Sequence, residues 1–272
     1  GGPSSGLPTK SEQTGLQQAL YSSNGESPMT IIASTSPTDC YDATYRAAKM
    51  TLEHMTPVIL LTDAFISNGS SAWNVPNMDE LPDIRPHYVT DEEKYKYTPY
   101  CRDPECQVRY WAIPGQEGYT HILGGLEKDG NTGAISTDPE NHDQMCRLRA
   151  EKVAKIPVPD LQVLGDKDDA DLLIVGFGST YGHLVSAMQE LQAKGYKVAQ
   201  AQFKYVNPLP KNTAEVLSKY KKVVIAEQNL GQLATWLRAN VDGLVPYQFN
   251  QVKGQPFVVA ELVKAFEDIL KK

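Results

Sequence analysis

Residues 171–203 read DLLIVGFGSTYGHLVSAMQELQAKGYKVAQAQF, and this stretch decides the predicted fold. The run LLIV shows no polar alternation, which is typical of a parallel strand that is covered on both faces. A glycine-rich turn follows it, and then come an apolar helical pattern and a second strand-like run. Strand, turn, helix and strand in this order predict an α/β fold with a parallel sheet.

The rest of the chain towards its C-terminus continues the same alternation. The segment KVVIAEQN, residues 222–229, predicts another buried strand, and residues 246–251 predict a further one. Helices are predicted over residues 183–194, 213–220, 231–240 and 256–270. The range 170–272 therefore predicts one complete, small domain with a parallel sheet.

The first 69 residues predict fewer elements. Thr9 and Glu12 form a capping box ahead of a short helix, whose apolar positions are Leu16, Ala19 and Leu20. Apolar runs at residues 29–33 and 57–65 predict two strands, and the second run has the unbroken pattern of a strand covered on both faces.

A second helix is predicted between these strands. Ser36, Pro37 and Asp39 supply an N-cap, a proline at the first helical position and an acid near the positive end of the helix dipole. This helix is expected to end near His54. Two strands do not complete a doubly wound sheet, so residues 1–69 are interpreted as the second half of such a domain. Since residue 1 is not Met, we expect it to be a cut end.

The segment 70–169 has weak hydrophobic periodicity and many Pro, Gly and Tyr residues. One helix is predicted in it, over residues 139–156, because Asp138 precedes a proline and Met145, Leu148 and Val153 have partial helical spacing. The predicted organisation is a partial domain at 1–69, a connecting segment at 70–169 and a complete domain at 170–272.

Composition excludes several classes of protein. The formal net charge is −7, and residues 1–149 carry 11 Lys and Arg against 20 Asp and Glu, so neither nucleic acid nor an anionic membrane is expected as a partner. No apolar run approaches the roughly 20 residues of a membrane-spanning helix. Four cysteines without a signal peptide predict free thiols and a cytoplasmic location.

The turn of residues 176–182, GFGSTYG, lies between a predicted strand and a predicted helix, where a dinucleotide-binding loop would lie. Gly176 and Gly178 fit such a loop, but the third glycine comes one residue late, and the next strand ends in Gln200 and Gln202 instead of an acid. A tight turn with Ser179 or Thr180 as helix cap is the alternative, and the turn could also face a partner.

Glu227 and Asn229 follow a predicted strand, at the edge where open α/β sheets bind ligands. They are therefore candidate ligand or interface residues. Local capping is the alternative, because Asn229 and Gln232 have the spacing of an N-cap and its N3 partner.

No metal site is predicted. Cys101, Cys106, His142 and Cys146 are the only candidate soft ligands with any grouping, and their spacing differs from that of zinc sites. No histidine has a nucleophile at a motif spacing, so no catalytic triad is predicted. His142 is the histidine best placed for function, because it lies among polar residues at a helix start.

The opening GGPSSG exposes several backbone N–H groups just before the first predicted helix, which suits an anionic or planar ligand. A frayed terminus explains the same glycines equally well. The candidate loop residues are Gly1, Gly2, Pro3, Ser4, Ser5 and Gly6.

Several motifs together resemble the α subunit of the 2-oxoacid:ferredoxin oxidoreductases, most closely the 2-oxoglutarate type. They are, in chain order, the opening GGPSSGLPT, PVILLTDAFISNG, WAIPGQEG, DPENH, GFGSTYGH, NPLP and AEQNLGQL. The resemblance covers the whole chain. It implies a partial pyrimidine-binding thiamine domain, a connecting segment and a domain related to the C-terminal domain of transketolases.

The resemblance also implies an activity. In this family a 2-oxoacid and coenzyme A give an acyl-CoA, carbon dioxide and reduced ferredoxin, with thiamine diphosphate as the electron sink. The diphosphate, its magnesium and an iron-sulfur cluster are expected mainly on a partner β subunit, so no cofactor is expected in this chain alone.

Residues 1–6 match the family's loop near cofactor and substrate. The arginine that precedes this loop in the family, and the glutamate that activates the aminopyrimidine, have no counterpart in the sequence. The chain alone is therefore expected to be inactive. The alternative hypotheses are a nucleotide-binding or regulatory module, and a second domain that serves only assembly.

Overall fold

The computed structural model describes residues 6–7, 10–90 and 97–272 as an α/β structure with two sheets. The helices are α1 (Leu16–Tyr21), α2 (Asp39–His54), α3 (Ala64–Ser67), α4 (Pro139–Ala154), α5 (Tyr181–Ala193), α6 (Thr213–Lys219), α7 (Gln232–Asn240) and α8 (Val259–Leu270). The strands are β1 (Thr30–Ala33), β2 (Val58–Leu61), β3 (Val163–Gly165), β4 (Leu172–Phe177), β5 (Val198–Phe203), β6 (Tyr205–Asn207), β7 (Val223–Glu227) and β8 (Tyr247–Asn250).

The larger sheet has five strands in the order β3-β5-β4-β7-β8. Strands β4, β5, β7 and β8 are parallel, and β3 pairs with β5 in the antiparallel direction. The parallel part confirms the predicted α/β fold. The edge strand β3 has no predicted counterpart, since its three residues, VLG, are too few to show a period.

Strand β4 is the centre of the fold because all six of its residues are buried. Leu173, Val175 and Phe177 pack on one face of the sheet together with apolar residues of α1, α6 and α7. Leu172 and Ile174 pack on the other face against α5 and α8. Helices on both faces explain why the sequence of β4 lacks alternation.

The smaller sheet has three strands in the order β2-β1-β6. Strands β1 and β2 are parallel and joined through α2, as predicted. Strand β6 pairs with β1 in the antiparallel direction, and the N–H of Ala33 donates to the carbonyl of Lys204 at 2.8 Å. Residues 170–272 thus contribute a strand, β6, to the sheet formed by β1 and β2 of residues 1–69. The division of the chain into the ranges 1–69, 70–169 and 170–272 stays a prediction.

Three predicted elements differ from the structure. Helix α2 begins at Asp39 with Thr38 as its N-cap, so Ser36 and Pro37 precede the helix, although Ser36 Oγ still accepts from the N–H of Asp39 at 3.1 Å.

The helix expected after the Thr9–Glu12 capping box begins only at Leu16, and its N-cap is Gly15, without a side-chain bond. Thr9 lies outside the described residues. Residues before the helix do not join it because Gln13 is bonded to the loop after β7.

The apolar run at residues 57–65 was expected to be one strand covered on both faces, and this expectation is wrong. The strand ends at Leu61, and all four of its residues are only half-buried. Asp63 stops it by accepting hydrogen bonds from the N–H groups of Phe65 and Ile66, so the rest of the run forms α3.

The connecting segment has irregular structure and one long helix. Helix α4 confirms the predicted helix, and the Asp138 side chain caps it by accepting from the N–H of Asn141 at 2.8 Å. Two long side chains attach the segment to the C-terminal end of α2. Trp111 Nε1 donates to the Leu52 carbonyl at 3.2 Å, and Lys152 Nζ donates to the Met55 carbonyl at 2.8 Å.

Within the described ranges, no helix has the length and apolar character needed to cross a bilayer.

Asp39, at the start of α2, joins the two sheets through polar contacts. Its carboxylate accepts from Lys204 Nζ at 3.0 Å and from Arg46 Nη2 at 3.1 Å, and also from the N–H and hydroxyl of Thr35. Burial raises the pKa of Asp39, but the hydrogen bonds from Thr35, Lys204 and Arg46 outweigh it and hold the pKa below its usual range. The folded state therefore favours the ionised carboxylate.

We expect Asp39→Asn to lower the free energy of unfolding at pH 7 by about 1–3 kcal/mol, because it leaves Lys204 and Arg46 without their common carboxylate. A depressed folded pKa stabilises the fold above the unfolded pKa and ceases to do so as pH falls through the folded value. Wild type should therefore lose more stability than the variant as pH falls below about 4.

Urea unfolding at several pH values measures both effects. Asp168→Asn is the matched control, because Asp168 pairs with Lys219 at the surface and is 82% exposed. Equal stability of the Asp39 and Asp168 variants would contradict the assignment.

Candidate functional site

The carboxyl ends of strands from both sheets meet at one place. The loops after β1, β2 and β4 line a small cavity of about 60 Å³, in which Ser34, Asp63 and Gly178 face Gln13. The hydroxyl of Ser179 donates to the Asp63 carboxylate and so joins the two sheets directly. Open α/β sheets bind ligands at this edge, so we take it as the candidate site.

Gln13 holds the start of the chain against this edge. Its side chain donates from Nε2 to the Phe177 carbonyl at 2.7 Å and accepts at Oε1 from the N–H of Gln228 at 3.0 Å. Its backbone N–H donates to the Gln228 carbonyl, and its carbonyl accepts from Asn229 Nδ2, both at 3.0 Å. Four hydrogen bonds from one residue fix the segment that precedes α1.

The glycine-rich turn after β4 is filled by protein atoms. Gly178 has a φ of +59°, and a Cβ there would lie 2.9 Å from Gln13 Nε2. A Cβ at Gly176 would lie 2.4 Å from Leu184 Cδ1, whereas nothing lies within 4 Å at Gly182. The first two glycines therefore permit close packing of the turn against the opening segment and α5.

Thr180 occupies the N-cap position of α5, as one of the two predicted alternatives, but its side chain makes no capping hydrogen bond there. The short 3-10 turn Gly178–Thr180, which precedes α5, has no side-chain cap either. Thr180 donates to the Phe177 carbonyl at 2.8 Å instead, and Ser179 reaches across to Asp63. Both residues are buried, and their contact with a ligand or partner stays a prediction.

The loop after β7 caps α7, although differently from the predicted pair. Asn229 Oδ1 accepts from the N–H groups of Gly231 and Gln232, both at 2.8 Å, as an N-cap would. Gln232 does not return a bond to Asn229. Its side chain instead donates to the Thr14 carbonyl and accepts from the N–H of Gln17, both at 3.0 Å, so it also binds the opening segment.

Glu227 is fully buried at the end of β7. Its two carboxylate oxygens accept from the N–H groups of Leu233 at 2.7 Å and Ala234 at 3.0 Å, in the first turn of α7. Burial raises the pKa of Glu227, and these backbone hydrogen bonds oppose the rise without cancelling it. The carboxyl group therefore orients α7, and its role towards a ligand stays a prediction.

Of the candidate loop at residues 1–6, only Gly6 lies among the described residues, and it is exposed. The neighbouring Leu7 lies against Gly254, where an added Cβ would come within 2.6 Å of Leu7 Cδ1. Gly1, Gly2, Pro3, Ser4 and Ser5 lie outside the described residues. The role of the loop stays a prediction.

Among the described residues, no group of three His, Cys, Asp or Glu side chains is arranged to hold a metal ion. His142 and Cys146 do lie together, on successive turns of α4, at an Nε2 to Sγ distance of 3.8 Å. His54 is buried and His183 is half-buried, and burial lowers the pKa of each ring. Burial therefore disfavours the charged form of both rings.

Sequence reasoning missed Gln13 and Asp63 as parts of this edge. Nothing in the sequence marks Gln13, because its partners lie more than 160 residues away in the chain. Asp63 carried a usable signal, since an aspartate that ends an apolar run is a common helix cap.

We expect Gln13→Ala to lower the free energy of unfolding by about 2–3 kcal/mol, because the Phe177 carbonyl and the Gln228 N–H lose their partners in a buried site. The variant should also be cut faster by protease before α1, since its opening segment is less firmly held. Urea unfolding and limited proteolysis with mass-spectrometric mapping measure these effects.

Gln18→Ala is the matched control, because Gln18 lies on the exposed face of α1. It should change neither the unfolding free energy nor the cleavage pattern. If Gln13→Ala behaves like this control, Gln13 does not hold the opening segment.

Two family profiles match this chain. Residues 1–146 match the family profile described as "Pyruvate flavodoxin/ferredoxin oxidoreductase, thiamine diP-bdg". Residues 170–261 match "Pyruvate:ferredoxin oxidoreductase core domain II".

Two curated relatives and one solved structure are similar to most of the chain. The 2-oxoglutarate oxidoreductase subunit KorA of Mycobacterium tuberculosis is 46% identical over 96% of this chain and 40% of its own length. The 2-oxoglutarate synthase subunit KorA of Methanocaldococcus jannaschii is 30% identical over 86% of this chain and 61% of its own length. A 2-oxoglutarate:ferredoxin oxidoreductase from Magnetococcus marinus, solved with 2-oxoglutarate, coenzyme A and succinyl-CoA bound, has a TM-score of 0.89 at 30% identity.

That alignment covers 99% of this chain and 47% of the Magnetococcus chain. The chain thus spans less than two thirds of the length of each of these three proteins. The thiamine-domain profile, however, covers more than half of this chain. The expected resemblance is therefore confirmed, and the chain belongs to the pyruvate flavodoxin/ferredoxin oxidoreductase family.

Proposed function

We propose that this chain forms part of the α subunit of an enzyme that oxidatively decarboxylates 2-oxoglutarate with coenzyme A, giving succinyl-CoA, carbon dioxide and reduced ferredoxin. The observation that carries the proposal is the 46% identity, over nearly the whole chain, to a 2-oxoglutarate oxidoreductase subunit. The named activity of the Magnetococcus protein, whose backbone this chain follows closely, agrees with it.

The geometry of the strand edge supports a role for the opening loop. Residues 1–6 precede a segment that Gln13 binds to the ends of β4 and β7. That segment lies at the carboxyl edge of the larger sheet, where open α/β sheets bind ligands. The loop residues are therefore proposed to contact cofactor and substrate.

The described residues suit one wall of a thiamine diphosphate site rather than the whole site. The cavity at the edge, about 60 Å³, is far smaller than the roughly 300 Å³ of the smallest ordinary cofactor pockets. Asp63, the acid at this edge, is bonded to Ser179 and to N–H groups of α3. We therefore propose that the diphosphate and its magnesium are held by a partner β subunit.

The partner subunit is also proposed to carry the iron-sulfur cluster that passes electrons to ferredoxin. This chain has four cysteines, and all four are free thiols without the clustered spacing that such a cluster requires. Free thiols also support the proposed cytoplasmic location.

An assembly role is a second function that one observation favours. Six large apolar side chains of the connecting segment are 51% to 76% exposed, namely Met78, Ile113, Ile122, Leu123, Leu126 and Ile135. An exposed apolar set of this kind is typical of a protein interface. By contrast, the turn proposed to hold a nucleotide phosphate is filled by Gln13 and Leu184, which disfavours the nucleotide-binding alternative.

We expect a complete heteromer containing this chain to reduce a viologen dye with 2-oxoglutarate and coenzyme A, and to act more slowly on pyruvate. The 272-residue chain alone should show neither turnover nor tight binding of thiamine diphosphate. Dye reduction and calorimetry measure these properties. The proposal fails if the complete heteromer acts on no 2-oxoacid, or if the chain alone binds the cofactor with micromolar affinity.

In that heteromer, we expect Gln13→Ala to lower kcat/KM for 2-oxoglutarate by about tenfold or more, because a small displacement of a binding loop misplaces the substrate. Gln18→Ala should leave kcat/KM unchanged. An unchanged kcat/KM in the Gln13 variant would remove the opening segment from the active site, whichever 2-oxoacid the enzyme uses.

A further inference from the structure

Cys146 lies in a cluster of charged and polar side chains on the outer face of α4. Arg149 Nη2 donates to Cys146 Sγ at 3.0 Å, and His142 Nε2 lies 3.8 Å from the same sulfur. The three residues share one face because they are spaced three or four positions apart on a helix. The sulfur therefore has a base and a permanent cation as its immediate neighbours.

Glu127, outside the helix, orients this histidine. Its Oε2 accepts from His142 Nδ1 at 2.7 Å and lies 3.8 Å from Arg149 Nη1. A proton held on Nδ1 by a carboxylate leaves the lone pair on Nε2, the nitrogen that faces the sulfur. Cysteine, histidine and carboxylate thus stand in the order of a nucleophile, its base and the group that orients the base.

Asn141 keeps Glu127 in this place. Its side chain accepts from the N–H of Gly130 at 2.9 Å and donates to the Lys128 carbonyl at 3.0 Å. The strand-like turn that begins at Glu127 is therefore bonded to the first turn of α4. The arrangement is built by contacts from two segments and does not depend on one long side chain.

The sulfur is accessible from a cleft. Cys146 is half-buried and lines a cleft of about 540 Å³, whose opposite walls include Tyr21 and Trp236. Two of the other thiols have different surroundings. The Cys40 thiol lies within hydrogen-bond distance of Ser34 Oγ and of the Ser36 carbonyl, and burial raises the pKa of the Cys106 thiol. Neither of these two has a histidine or an arginine as a hydrogen-bond partner.

From this geometry we propose that Cys146 is a reactive thiol that hydroperoxides oxidise to a sulfenic acid, which makes it a modification site separate from the candidate active site. His142 Nε2 takes the thiol proton, and the thiolate beside Arg149 attacks one peroxide oxygen. The S–O bond forms as the O–O bond breaks. The leaving group, hydroxide from hydrogen peroxide or alkoxide from an organic hydroperoxide, takes the proton from His142 and departs as water or alcohol. Sulfur thus loses the two electrons that the peroxide gains.

The proposal is tested by labelling all four cysteines of the folded protein. Iodoacetamide is added at pH 7, and the rate at each cysteine is read from its peptide by mass spectrometry. Because a base and a guanidinium lie beside its sulfur, we expect Cys146 to react about tenfold faster than Cys101, or more. With hydrogen peroxide and dimedone, the sulfenic acid adduct should form at Cys146 first.

Variants separate activation of the thiol from simple exposure. His142→Ala and Arg149→Ala should each slow labelling of Cys146 at least about fivefold, since each removes a group that favours the thiolate. Glu127→Gln should slow it less, because the amide still orients the imidazole. The labelling rates of Cys40 and Cys101 in the same samples report whether the variants keep their fold. Gln144→Ala is the control, because Gln144 is an exposed, uncharged residue of the same helix and does not line the cleft.

Equal labelling rates at Cys146 and Cys101 would overturn the proposal. So would a Cys146 rate that His142→Ala and Arg149→Ala leave unchanged, since the thiol would then be merely exposed. A variant that also changes the labelling rates of Cys40 and Cys101 has a perturbed fold. In that case the four labelling rates of the wild-type protein alone decide whether Cys146 is the reactive thiol.

Discussion

The side chain of Gln13 is the contact on which the candidate site depends. An amide can donate and accept at once, and this one does both against backbone groups, at the end of β4 and in the loop after β7. A buried backbone group without a partner costs roughly 1–3 kcal/mol, so the two strand ends and the opening segment stabilise one another. Glycine is required at position 178, because a Cβ there would come too close to the Gln13 amide.

The same contact fills the space beside Gly178 in the glycine-rich turn. Dinucleotide-binding loops leave their N–H groups open to a ligand at a helix N-terminus. Here the turn is buried, Ser179 is bonded to Asp63, and Gln13 occupies the space above Gly178. A strand, a glycine-rich turn and a helix are thus insufficient evidence for nucleotide binding, because protein atoms can fill the same space.

The sequence predicts the elements whose causes are local, and it predicts them well. Strand β4 is an unbroken apolar run because both faces are covered, and α4 begins where Asp138 and a proline require a helix to begin. Strand β6 and the bonds of Gln13 have non-local causes. The three-residue strand β6 pairs with β1, which lies over 170 positions earlier in the chain. A short window of sequence cannot predict such a pairing.

A second polar contact between the two sheets is made by a charged group, the carboxylate of Asp39. One carboxylate, that of Asp39, serves both Lys204 and Arg46, and Lys204 lies in the short link between β5 and β6. The link must place β5 in the larger sheet and β6 in the smaller one, so its position sets the angle between the sheets. Apolar packing alone is non-directional and would allow the sheets to slide. A buried carboxylate with two cationic partners is directional, and it favours the same arrangement of the sheets as the hydrogen bond from Ser179 to Asp63.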